Sequence, residues 1–136
     1  MTPVRQLRLV IQADDFDAAV AFYRDALGLT ERDAFEGDGD ARVMILEAGV
    51  ATLEIANAAQ VRMIDGIEAS GSPSRAIRVA FEVDDAADAT ATLVDAGATL
   101  VAAPVETPWR SLNSRLETPE LQVTLFQELD RGPAST

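Results

Sequence analysis

The sequence predicts an α+β fold of two tandem βαβββ modules, and three observations predict it. An apolar strand, an aspartate pair and an aromatic-bearing helix fill "RLVIQADDFDAAVAFYRDALGL", and the same pattern returns as "RVAFEVDDAADATATLVDAGATL". The offset is constant: Arg8, Asp14 and Asp15 recur seventy positions on as Arg78, Asp84 and Asp85, and Asp25 and Ala26 recur as Asp95 and Ala96. Finally, 136 residues suit one domain and are too few for two independent cores, so the copies must share one.

The elements follow in order. Residues 8–13 alternate, with Leu9, Ile11 and Ala13 on one face and Arg8, Val10 and Gln12 on the other, the period of a half-buried strand. Asp14 or Asp15 can cap a helix whose Phe16, Val20, Tyr23 and Leu27 recur at three- and four-residue steps, with Gly28 as its left-handed stop. "TERDAFE", "ARVMILEA" and "ATLEIANA" read as three strands, separated by the turn "GDGD" and by Gly49. The second copy repeats this order in "AIRVAFEV", a helix begun by Asp84 or Asp85 and stopped near Gly97, then "ATLVAAP", "SLNSRLET" and "LQVTLFQEL". The expected organisation is a single domain over residues 1–136. Module one spans about 5–58, a linker helix and bridge about 59–75, module two about 76–129, and a tail 130–136. A lone βαβββ unit leaves one sheet face bare, so the two must pair.

Composition narrows the function. With 48% hydrophobic residues the chain can form a globular interior, yet no apolar run approaches the roughly 20 residues of a membrane helix. The first residues lack the apolar core and cleavage site of a secretory signal, so a cytoplasmic protein without a membrane partner is expected. There is no cysteine, hence no disulfide framework and no thiolate chemistry. A formal net charge of −12 argues against nucleic acid and favours a cationic small ligand, although the same charge also serves solubility.

The segment "DDFDAAVAFYRDALGL" after an apolar strand, with "FEVDD" opening the second copy, resembles the vicinal oxygen chelate superfamily. That group includes glyoxalase I, extradiol dioxygenases, fosfomycin-resistance enzymes and bleomycin-resistance proteins. The similarity runs from about Arg8 to Glu128. It implies a cup that in many members holds a divalent metal through inward residues of each module's first and last strands. In those enzymes a ligand histidine commonly stands six residues before the aspartate pair, where this chain has Arg8 and Arg78. The matching last-strand places are Glu54 and Thr124, again seventy apart.

The chain contains no histidine at all. A guanidinium offers a cation no lone pair, and one carboxylate does not hold a divalent ion against water, so no metal and no other cofactor is expected. If Arg8, Glu54 and Arg78 face the cup, the simplest arrangement is an internal salt-bridge group in place of a metal, with an arginine able to grip a ligand carboxylate or phosphate where one is free. "ETPWRSLNSRLETPE" resembles the bleomycin-resistance pattern of a Pro-Trp pair before a strand, with Arg110 where a glycine is expected. The only tryptophan, Trp109, either closes one end of the core or stacks on a planar ligand at the rim.

The expected ligand-binding set is therefore Arg8, Glu54, Arg78, Trp109 and Thr124. Without cysteine, histidine or a glycine-flanked serine elbow, nucleophilic catalysis has no support, and the one catalytic candidate is Glu54 as a general base. The expectation is a metal-independent small-molecule binding protein of the glyoxalase and bleomycin-resistance type. It would act as a homodimer and sequester a planar or cationic compound such as an antibiotic. One alternative is a lyase, isomerase or dioxygenase of the same superfamily, with an atypical metal site or Glu54 as base. Another is an interaction module without a small ligand.

Overall fold

The computed structural model describes residues 9, 11, 13–36, 40–51 and 58–130. The chain divides into two compact units, residues 1–55 and 56–136.

In the first unit, α1 (Phe16–Val20) starts at Asp15, whose side chain accepts the Ala18 N–H at 3.1 Å. That bond satisfies one of the orphan donors every helix start presents. The coil then widens into a π-type segment, Ala21–Ala26, in which the Leu27 N–H donates to the Phe22 carbonyl at 2.9 Å. Within this segment Tyr23 is buried and meets the Phe22 ring edge-on, with centroids 4.9 Å apart. Gly28, at φ +86°, lets the Leu29 N–H turn back to the Tyr23 carbonyl at 3.1 Å and end the helix. An antiparallel hairpin follows, β1 (Thr30–Glu36) with β2 (Arg42–Glu47), with Phe35 opposite Val43. The strands expected at 8–13 and 51–58 fall largely outside the described residues.

The second unit contains α2 (Ala58–Ala69), β3 (Arg78–Glu82), α3 (Ala86–Asp95), β4 (Thr99–Glu106), β5 (Ser111–Glu117) and β6 (Gln122–Glu128). From β3 onward this is the βαβββ order the repeat predicts. The strands lie in the order β3-β6-β5-β4, with β3 parallel to β6 and the other neighbours antiparallel. Asp85 caps α3 by accepting the Asp88 N–H at 3.0 Å, the counterpart of Asp15 seventy positions earlier.

Helix α3 packs against β4, β5 and β6, where Leu93, Leu116, Val123 and Leu125 are buried. The hydroxyls of Thr90 and Ser114 meet there at 2.7 Å. Side chains alternate along β5 and β6, so Asn113, Arg115 and Thr124 point to the opposite face. That face is covered by α2, which packs on β5 and β4. The helix that the sequence presents as a connector thus shields the face on which the polar set sits. Among the described residues, no helix is long and apolar enough to cross a membrane.

Candidate functional site

The α2-covered face of the second sheet brings polar and charged side chains together from four elements. Asp65 and Glu68 are three residues apart in α2 and so project from one side of the helix. Both are buried. Opposite them, Arg115 of β5 is 0% exposed and lies beside Asn113, Arg78 of β3 and Thr124 of β6.

Arg115 ties the helix to the sheet. Its Nη1 donates to Asp65 Oδ1 at 2.7 Å and to the Ser72 carbonyl at 3.3 Å, while its Nε donates to Glu68 Oε1 at 3.2 Å. Glu68 also accepts from Asn113 Nδ2 at 3.0 Å and from the Thr124 hydroxyl at 2.7 Å. Arg78 Nη1 donates to Thr124 Oγ1 at 2.5 Å and stands 3.5 Å from Glu68 Oε1. A further run of bonds reaches toward the turn before β5. There the Thr107 and Ser111 hydroxyls meet at 2.9 Å, and Ser111 donates to Asn113 Oδ1 at 2.7 Å.

Two carboxylates and two guanidinium groups leave this cluster formally neutral. Such balance is required, because a buried charge without a partner costs several kcal/mol. Burial alone pushes the Asp65 carboxyl up. The Arg115 guanidinium and the Ser74 N–H, 3.2 Å from Asp65 Oδ2, outweigh it and hold Asp65 below the ordinary carboxylate value.

Of the residues singled out from the sequence, Arg78 and Thr124 are brought together. Thr124 is sealed beneath α2, whereas the Arg78 side chain keeps 27% of its surface exposed. Trp109 is half-exposed in the turn Thr107–Arg110 that leads into β5. Arg8 and Glu54, the latter including its proposed role as a base, lie outside the described residues. The glycine that the Pro-Trp pattern leads one to expect at position 110 has a backbone reason: Arg110 sits at φ +65°, in the left-handed region. Its guanidinium is held by Glu106 and by Asp130, the latter at 3.3 Å.

Sequence reasoning missed Asp65, Glu68, Asn113 and Arg115. Two signals existed. Asp65 and Glu68 share a helix face otherwise read as a plain connector, and "SLNSRLE" places Ser111, Asn113, Arg115 and Glu117 on one side of a strand. Such a row reads as a solvent face until a charged helix is known to cover it.

The metal that the resemblance implies can be tested against these donors. At the second module's two ligand positions stand a guanidinium and a hydroxyl already committed to Glu68. The nearby carboxylates, Asp65 and Glu68, are both taken by arginine. Among the described residues no group of three or more histidine, cysteine, aspartate or glutamate side chains is placed to hold an ion. The residues of this half-site do not fit a divalent metal.

Residues 5–122 match the model of the Glyoxalase/Bleomycin resistance protein/Dioxygenase superfamily. The chain belongs to this superfamily. Solved structures agree with that fold. A superfamily member from Sphaerobacter thermophilus is 22% identical at a TM-score of 0.56, over 87% of this chain and 92% of its own. A glyoxalase/bleomycin resistance protein/dioxygenase family enzyme from Burkholderia phytofirmans is 21% identical at 0.52, over 86% and 93%. A glyoxalase-related enzyme from Fulvimarina pelagi is 14% identical at 0.54, over 91% and 88%. At these identities the likeness speaks for the superfamily fold and not for a shared activity. No curated protein matches the chain significantly.

Proposed function

We propose that this superfamily member is a metal-independent small-molecule binding protein that sequesters a planar or cationic compound, such as an antibiotic. The observation that carries the reading is the arginine at the first-strand ligand position. Arg78 donates to Thr124, the residue at the last-strand position, and Glu68 closes the group, so donors replace ligands where a metal-dependent relative needs lone pairs.

Two features support the ligand class. Trp109 keeps about half of its surface exposed on the turn Thr107–Arg110, as a stacking platform requires. The formal charge of −12 draws cations toward the protein. Within the second unit, the expected ligand contacts are Trp109 and the exposed part of Arg78.

Elemental analysis after dialysis tests the metal-independent part. The expected result is less than stoichiometric nickel, zinc, manganese or iron, and one retained equivalent that disappears in Glu54→Ala would overturn it. The ligand part is tested by titrating planar cationic compounds against Trp109 fluorescence. A binder should quench the tryptophan, lose roughly 1 kcal/mol or more of affinity in Trp109→Ala, and bind less tightly as salt rises. Turnover of the compound would instead favour an enzyme.

A further inference from the structure

The donors around Glu68 form an arrangement that its role as a helix pin does not require. One carboxylate receives the Asn113 amide on one oxygen, and Arg115 Nε and the Thr124 hydroxyl on the other. Arg78 Nη1, which donates to Thr124, stands 3.5 Å from the carboxylate, and Arg115 Nη2 stands 3.2 Å from it. These groups come from β3, β5 and β6, while α2 supplies the Glu68 anion and, through Asp65, a separate partner for Arg115 Nη1. A guanidinium pair with an amide and a hydroxyl divided over two oxygens is how proteins recognise a free carboxylate.

A second observation shows that the tethered carboxylate satisfies this set incompletely. Arg115 Nη2 is sealed from solvent yet makes no hydrogen bond to any described residue, although Glu68 Oε1 is within ion-pair distance. A donor left over in a buried site is costly. Glu68 reaches the site from a fixed position on α2 and cannot turn to meet every donor, whereas an untethered carboxylate can.

We propose that Arg78, Asn113, Arg115 and Thr124 form a carboxylate receptor on the second sheet, with Glu68 of α2 as its resident occupant, so that an external carboxylate enters only in exchange for the helix. Helix α2 is then an internal competitor that keeps the receptor filled. The inference goes beyond the metal-independent reading and does not need it, since the receptor lies wholly within the second unit and its test uses neither Trp109 nor a planar ligand.

The test vacates the receptor with Glu68→Ala and uses acetate as the probe, with chloride at equal ionic strength as the control. Acetate at about five times its dissociation constant should raise the melting temperature of Glu68→Ala by about 3 °C, saturably, and leave the wild-type chain unmoved. Should Glu68→Ala be unfolded in chloride, acetate must restore its fold. Inorganic phosphate, bulkier than the planar group that the site surrounds, should stabilise the variant less. The proposal fails if acetate neither stabilises nor refolds Glu68→Ala, or if wild type and variant respond alike, since Glu68 is then not the occupant. A phosphate response equal to that of acetate would reduce the site to unspecific anion attraction and also overturn it. A metal found in the purified protein, by contrast, would overturn the function proposed above and leave this result standing.

Discussion

Asp65 shows how a single side chain can carry a condition-dependent share of the fold. Its carboxyl is held below the ordinary value of 3.8 because Arg115 and Ser74 favour the charged form more strongly than burial opposes it. A depressed folded pKa means that the stabilisation is fully present above the unfolded value and is lost as pH falls through the folded one. Urea unfolding of wild type and Asp65→Asn should therefore differ by about 3 kcal/mol near neutrality, because the substitution leaves Arg115 half-compensated in a buried site. The gap should narrow as the solution is acidified below about pH 4. A gap that stays constant from neutrality to pH 2 would show that the Asp65 charge does not matter to the fold. Arg110 poses the opposite case, a residue in a backbone state it does not favour. Arg110→Gly relieves about 1 kcal/mol of left-handed strain and gives up two exposed ion pairs worth little each. A gain of about 0.5 kcal/mol in unfolding free energy is the expected outcome, and a loss above 1 kcal/mol would mean that the Glu106 and Asp130 pairs hold the turn.

At the scale of elements, local signals were legible and long-range ones were not. The caps Asp15 and Asp85 follow from the aspartate pairs because capping is decided within four residues, and the four strands of the second module follow from period-two alternation with turn residues between them. The role of α2 does not follow in this way. Asp65 and Glu68 meet Arg115 fifty and forty-seven positions away, and no periodicity records which strand a charged helix face will cover. Arg115 was invisible for the same reason, since an arginine in an alternating strand defaults to solvent unless a partner is known. The widening of the first helix over Ala21–Ala26 also lacks a sequence signal, because the apolar steps of Phe16, Val20, Tyr23 and Leu27 suit an ordinary helix. The legible cap can be tested: Asp85→Ala should lower stability by about 1 kcal/mol, and Asp85→Ser should recover most of it. Equal losses in both variants would mean that Asp85 acts through its charge and not as the acceptor for Asp88.

For the whole molecule, the exposed apolar surface asks for cover. Every residue of β1 is exposed, and Phe35 and Val43 face each other across the hairpin at 57% and 46% exposure. Among the described residues this sheet has two strands, and a two-stranded sheet is marginal alone in water. Ile77, at 69% exposure, and Leu100, at 45%, add apolar surface on the second unit. A net charge of −12 works against association, since like chains repel, so an assembly must bury enough apolar area to outweigh that repulsion. A symmetric homodimer meets the need, because a self-complementary patch covers both copies at once. Sedimentation at micromolar protein should then report about twice the 14.5 kDa chain mass. The association should tighten as salt screens the repulsion between acidic chains. Phe35→Glu should shift the protein toward monomer without lowering the unfolding free energy of the second unit's sheet. A concentration-independent monomer in high salt would leave the hairpin surface without a second copy as its partner.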